Sequence, residues 1–148
     1  MPNRKYVIYV SPSEWGFVEP IKTISDYIRS SLKRRGMNLN EVSDHQITRI
    51  FPHLERFLQG HPKTLTISDI LDTFSKQFGF ANEEEKNNVQ TAVARLVDRL
   101  SMLKRRDPVR VYKLIRSLRT LLIGFVRGYL SLPIQVYEKQ SEKAGGEV

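Results

Sequence analysis

The sequence predicts an all-α fold, a bundle of about five helices behind an extended N-terminal arm, and three observations carry that reading. Apolar residues recur at intervals of three and four over most of residues 20–129. Those stretches open on capping residues and close on glycine or on Asp-Pro. Apart from "VRVYKLI" at 109–115, strand-like runs are confined to the two ends, "KYVIYV" at 5–10 and "LPIQVY" at 132–137. The chain divides accordingly into an arm at 1–19, a helical domain at 20–137 and a flexible polar tail at 138–148.

In "EPIKTISDYIRSSLKRRG", Ile21, Ile24, Ile28 and Leu32 share one face, Pro20 suits a first turn and Gly36 suits a C-terminal cap, which places the first helix at about 20–35. The second segment opens on the capping box Ser43 and Gln46, with Val42 positioned to staple onto Ile47. Its stripe is Ile47, Phe51, Leu54 and Leu58, and Pro52 should kink it or split it. In "LTISDILDTFSKQFG", Thr66 reads as the cap, and Ile67, Ile70, Leu71, Phe74 and Phe78 face inward as far as Gly79. Asn82 caps the fourth helix, Glu83, Glu84 and Glu85 complement its positive dipole end, and Val89, Val93, Leu96, Leu100 and Leu103 form its core face.

The fifth segment, "DPVRVYKLIRSLRTLLIGFVRGYL", has two readings. Asp107-Pro108 is a cap and first-turn pair, and Val111, Leu114, Leu118, Leu121, Leu122, Phe125 and Tyr129 keep helical spacing for about six turns. "VRVYKLI" alone also resembles the wing strand of a winged helix-turn-helix. One register running unbroken from 109 to 129 favours the helix.

The arm is apolar where a solvated terminus would be polar. "KYVIYV" either pairs with 132–137 as a small ribbon or packs on a neighbouring copy, with Tyr6, Ile8, Trp15 and Phe17 as the contacts between subunits.

Charge narrows the function. The chain has 148 residues, 24 basic and 16 acidic, for a net charge of +8 and a pI near 9.9, which suits an anionic partner such as nucleic acid or an acidic membrane. Ten bases and two acids (Asp98, Asp107) lie between 95 and 127, so that hairpin alone carries +8. Two near-copies punctuate the chain, "SSLKRRGM" at 30–37 and "SMLKRRDP" at 101–108. Each reads as a helix end complementing its dipole, or as a phosphate-binding surface. The concentration of charge favours the second reading, with Lys33, Arg34 and Arg35 from the first copy. Arg95, Arg99, Lys104, Arg105, Arg106, Arg110, Lys113 and Arg116 come from the hairpin.

Catalysis finds little support in the sequence. Cysteine is absent, which excludes disulfides and thiolate sites. His45, His53 and His61 fall eight apart with no metal-ligand spacing, and no phosphate-cradling glycine motif is present. No cofactor and no metal are therefore expected. The start lacks the apolar stretch of a signal peptide, and the longest apolar run, "LLIGFV", is far short of the roughly 20 residues that span a bilayer. A cytoplasmic site of synthesis is the expectation.

In layout, the apolar arm, the "LKRRG" and "LKRRDPVR" clusters and the helical bundle resemble the coat proteins of filamentous double-stranded DNA viruses of archaea. That resemblance implies a homo-oligomer coating double-stranded DNA without reading its sequence, located in the virion, with both clusters on phosphate. Two other functions stay open: a helix-turn-helix regulator using the third and fourth helices, with Asn87, Asn88 and Gln90 at the bases, and a small helical subunit of a ribonucleoprotein.

Overall fold

The structure, a computed structural model, describes residues 12–129, and every regular element among them is helical. A 3₁₀ turn at Pro12–Phe17 leads directly into α1 (Val18–Arg34). After a second 3₁₀ turn at Leu39–Glu41 come α2 (Asp44–Ile47), α3 (Phe51–Leu58), α4 (Lys63–Gln77), α5 (Glu83–Arg106) and α6 (Pro108–Arg127). α1 packs against both α5 and α6, which also pack on each other, while α4 lies along α5 and α3 along α4. The apolar stripes converge: Ile21, Ile24, Ile28, Phe51, Leu54, Ile70, Val93, Leu96, Leu100, Leu114 and Leu118 are fully buried in one cluster.

Gly36 adopts φ +68°, the left-handed conformation that ends α1, and this allows the Met37 amide to donate to Leu32 O at 2.9 Å. Proline splits the second segment. Pro52 has no N–H for a helical bond and its ring would meet the carbonyl four residues back, so the chain turns after Ile47 and restarts with Pro52 in the first turn of α3. Both halves of the expected box at Ser43 form, since its hydroxyl accepts from the Gln46 amide at 3.1 Å and its own amide donates to Gln46 Oε1 at 3.0 Å.

Three expectations are corrected. Thr66 does not cap α4, which starts a turn earlier after the extended Pro62; the buried Thr66 hydroxyl instead donates to Pro62 O at 2.9 Å. The threonine can therefore sit inside the helix without leaving its oxygen unpaired. The extended arm does not reach residue 19, because 12–17 coil into a 3₁₀ turn and Val18 begins α1. Phe17 is not an available contact for a neighbouring copy: it is buried in its own core, although Trp15 is 41% exposed. Tyr6, Ile8, the strand expected at 5–10, its partner at 132–137 and the polar tail lie outside the described residues. Segment 109–115 is helix, capped by the Asp107 carboxylate accepting from the Arg110 amide at 3.0 Å, so the wing reading falls.

Candidate nucleic-acid interface

The two "LKRR" copies have different surroundings. In the first, α1 presents Tyr27, Ser31 and Arg35 four residues apart, one above the other on one face. All three donate to carbonyls at the end of α4. Tyr27 Oη reaches Gly79 O at 2.7 Å and Phe74 O at 3.2 Å, Ser31 Oγ reaches Phe78 O at 2.7 Å, and Arg35 NH1 reaches Gln77 O at 3.0 Å. A helix end leaves its last carbonyls without intrahelical partners, and α1 supplies those partners here. Burial pushes the Tyr27 phenol pKa up, with Glu85 adding to it, so it stays a neutral donor. Its ring stacks on Phe80 at 5.0 Å and meets Phe74 edge-on at 5.2 Å. Arg34 forks onto Glu85 in the first turn of α5. Lys33 alone of this copy is exposed without a partner among the described residues, beside a shallow groove shared with Arg29 and Asp26.

The hairpin of α5 and α6 divides its cations between fold and surface. The turn at 12–17 lies across it: Glu14, 3% exposed, receives both Arg110 Nε and NH2 at 2.5 Å, and this hydrogen bond raises the Arg110 pKa further. Two residues on, Gly16 meets the Arg99 guanidinium so closely that an added Cβ would lie 2.4 Å from NH1. Glu19 then faces Arg95 at 3.5 Å between exposed side chains. At the opposite side of the hairpin, Lys104 donates to Leu58 O at the end of α3, and the Tyr112 hydroxyl makes a long 3.5 Å contact with the same oxygen. Arg127 is largely covered, donating to Leu39 O at 3.0 Å, Val42 O at 2.8 Å and Asp44 at 2.7 Å. Arg29, on α1, closes the end of α6 by donating to Val126 O at 2.7 Å.

What remains flanks the turn between α5 and α6. Arg105 and Arg106 end α5, and Lys113 and Arg116 follow within the first three turns of α6. All four are exposed, and none has an ion pair or side-chain hydrogen bond among the described residues. Asp107, the acid between them, is occupied in capping α6. Arg119, further along α6, faces Glu55 at 3.8 Å and lies over the Phe51 ring, so it belongs to the packing with α3.

Of the eleven basic residues the sequence selects, the structure thus groups Arg105, Arg106, Lys113 and Arg116 at one corner. It engages Arg34, Arg35, Lys104 and Arg110 in contacts within the chain, and sets Arg95 against Glu19 of α1 and Arg99 against Gly16 of the N-terminal turn. Sequence reasoning passed over Met102, Val109 and Tyr112, which share the corner and are 55%, 67% and 40% exposed. Their signal was legible as apolar residues falling off the core register of their helices.

His53 sits in a one-way hydrogen-bond chain, and His61 Nε2 lies 3.4 Å from Asp69 Oδ2. Arg56 can only donate, so its 2.5 Å contact makes His53 Nδ1 an acceptor and puts the neutral ring's proton on Nε2. Nε2 then donates to Thr73 Oγ1 at 2.9 Å, and that hydroxyl donates onward to Asp69 O at 2.9 Å. The pairing is one-directional, and the threonine proton faces a carbonyl rather than a base. Among the described residues no group of three or more metal-ligating side chains occurs, and no helix is long and apolar enough to cross a membrane. Comparisons with protein-family models, with curated proteins and with solved structures give no match.

Proposed function

We propose that this protein is a non-enzymatic nucleic-acid-binding protein that coats or packages double-stranded DNA as a homo-oligomer, in the manner of a viral coat protein. The corner where α5 meets α6 would be its phosphate-binding surface. One observation carries the reading: Arg105, Arg106, Lys113 and Arg116 are exposed together, with no carboxylate paired to them among the described residues, where most of the other described guanidinium groups are paired or hydrogen-bonded. Unpaired cations at this density repel one another, and a polyanion removes that repulsion while releasing condensed counterions from the nucleic acid. The cations sit on two rigid helices joined by one capped residue, so their spacing is fixed before binding. Backbone contacts of this kind position a protein without reading sequence, which suits coating. The wing that would accompany a winged helix-turn-helix reader is absent from 109–115.

The test is nuclease protection of random-sequence duplex at rising protein ratio. The reading expects protection of any duplex near saturation, lost as salt rises. Protection of one short site alone would favour a regulator, and no protection at low salt would end the proposal.

A further inference from the structure

Three of the six large apolar side chains exposed among the described residues lie at the same corner of α5 and α6. Met102 is 55% exposed in the last turns of α5, Val109 is 67% exposed in the first turn of α6, and Tyr112 is 40% exposed one turn on. They alternate with the cations. Along the outer face the order is Met102, Arg105, Arg106, Val109, Tyr112, Lys113, Arg116, with steps of one or three residues. α6 already has a complete apolar face, Val111, Leu114, Ile115, Leu118, Leu121 and Leu122, buried in the core. The exposed residues are therefore not core positions left uncovered.

A surface made only for phosphate has no use for them. Phosphate recognition needs donors and positive charge, while an exposed thioether, isopropyl group and phenol ring gain nothing from a fully hydrated anion. Interleaved aromatic, apolar and basic side chains suit a ligand whose anionic groups alternate with flat apolar faces at a spacing of a few ångströms. Nucleic acid with unstacked bases has that chemistry. A helix made for a membrane surface segregates its apolar and basic faces, and on α6 the apolar face is occupied by the core. The tyrosine also leans toward α3. Its hydroxyl contacts Leu58 O, so the ring leans against the end of α3 instead of sweeping freely, and less conformational freedom is given up when a base stacks on it.

We infer that the corner of α5 and α6 binds nucleic acid through its bases as well as its phosphates, with Tyr112 as the stacking platform and Met102 and Val109 as flanking wedges. Its favoured ligand is nucleic acid with accessible base faces, a single strand or a duplex at an opened step, over a continuous duplex. This rests on the phosphate-binding reading above and extends it. On duplex DNA the same side chains would unstack the step they meet, as apolar wedges beside basic residues do.

The experiment measures binding of the full chain to labelled mixed-sequence DNA in three forms, single strand, duplex with a central unpaired bubble, and continuous duplex, each across a salt series. Anionic phospholipid vesicles form a fourth arm. The expected result is that the single strand and the bubble bind on the order of tenfold tighter than the continuous duplex, the preference that roughly one stacked base supplies. Tyr112→Ala should remove most of that preference and leave the duplex salt slope unchanged, while Lys113→Gln with Arg116→Gln weakens all three forms and lowers the slope. Melting of each variant confirms folding, which exposed positions tolerate. Equal affinity for the three forms with a normal salt slope would overturn the base contact and leave the phosphate reading standing. A preference that survives Tyr112→Ala would overturn it too. Binding to vesicles with no salt-dependent binding to any DNA would overturn both.

Discussion

Arg34 grips Glu85 with two parallel hydrogen bonds, NH1 to Oε2 and NH2 to Oε1, each 3.0 Å, joining the last turn of α1 to the first turn of α5. The carboxylate also accepts from the Ala81 amide at 2.7 Å, so one glutamate ties a helix start to a helix end. An arginine read from sequence as a phosphate ligand is here a brace of the bundle. A double-mutant cycle of Arg34→Gln and Glu85→Gln by denaturant unfolding should give a coupling of about 0.5–1 kcal/mol, the upper range for a partly exposed pair because the geometry is bidentate. Coupling indistinguishable from zero would mean that the fork contributes nothing to stability.

The capping of α4 by α1 should matter more. Ser31 is fully buried, and Ser31→Ala leaves Phe78 O without its partner in a dry site, at a cost of about 1–3 kcal/mol. Tyr27→Phe removes the donor to Gly79 O while keeping the ring against Phe80, and should fall in the same range. Chemical denaturation measures both, and a loss below a few tenths of a kcal/mol would show that water replaces these donors.

The N-terminal turn belongs to the fold. A chain cut after residue 17 loses the buried Phe17 ring and the Glu14 carboxylate that holds Arg110. Removing a buried large apolar side chain alone costs about 3–5 kcal/mol, so this truncation should melt far below the full chain or fail to fold. A truncated protein with the full melting temperature would return this segment to the role of an assembly arm.

Acid should weaken the α3 and α4 pairing through His53. Burial, and then Arg56, lower its pKa, while Asp69 opposes them and His61 adds to them. A histidine with a depressed folded pKa binds its proton more readily when unfolded, so stability is full above the unfolded value of about 6.5 and declines as pH falls from there toward the folded pKa. His53→Gln should flatten that part of the stability–pH curve. An unchanged slope between wild type and variant would place the titration elsewhere.

How far the sequence was legible follows the physics of each feature. Periodicity and caps are local, so the helical fold, the box at Ser43, the Asn82 cap and the Asp107 start of α6 could all be read. Thr66 misled because a β-hydroxyl satisfies itself equally well at a cap or back-bonded inside a helix, and Pro62 four residues earlier decided between them. The split at Pro52 was read as one of two outcomes, and the packing of α3 on α4 accompanies the one observed. Charge was legible as an amount and not as an allocation. Nothing near Arg110 in sequence announces Glu14, ninety-six residues away, and nothing in the first "LKRR" announces the α4 carbonyls that Arg35 reaches. Long-range pairing decides which cations remain available, and it separates two sequence copies that look alike.

The measurement that tests the central claim most directly is the salt dependence of duplex binding for two variants side by side. Replacing Arg105, Arg106, Lys113 and Arg116 with Gln should lower the slope of log K against log salt by about 3–4, at about 0.9 for each phosphate no longer neutralised, with the melting temperature nearly unchanged. Replacing Arg34 and Arg35 with Gln should do the reverse, lowering the melting temperature and leaving the slope as it was. A corner variant that binds with the original affinity and slope, or an Arg34 and Arg35 variant that loses binding equally, would contradict the assignment of phosphate binding to the second copy.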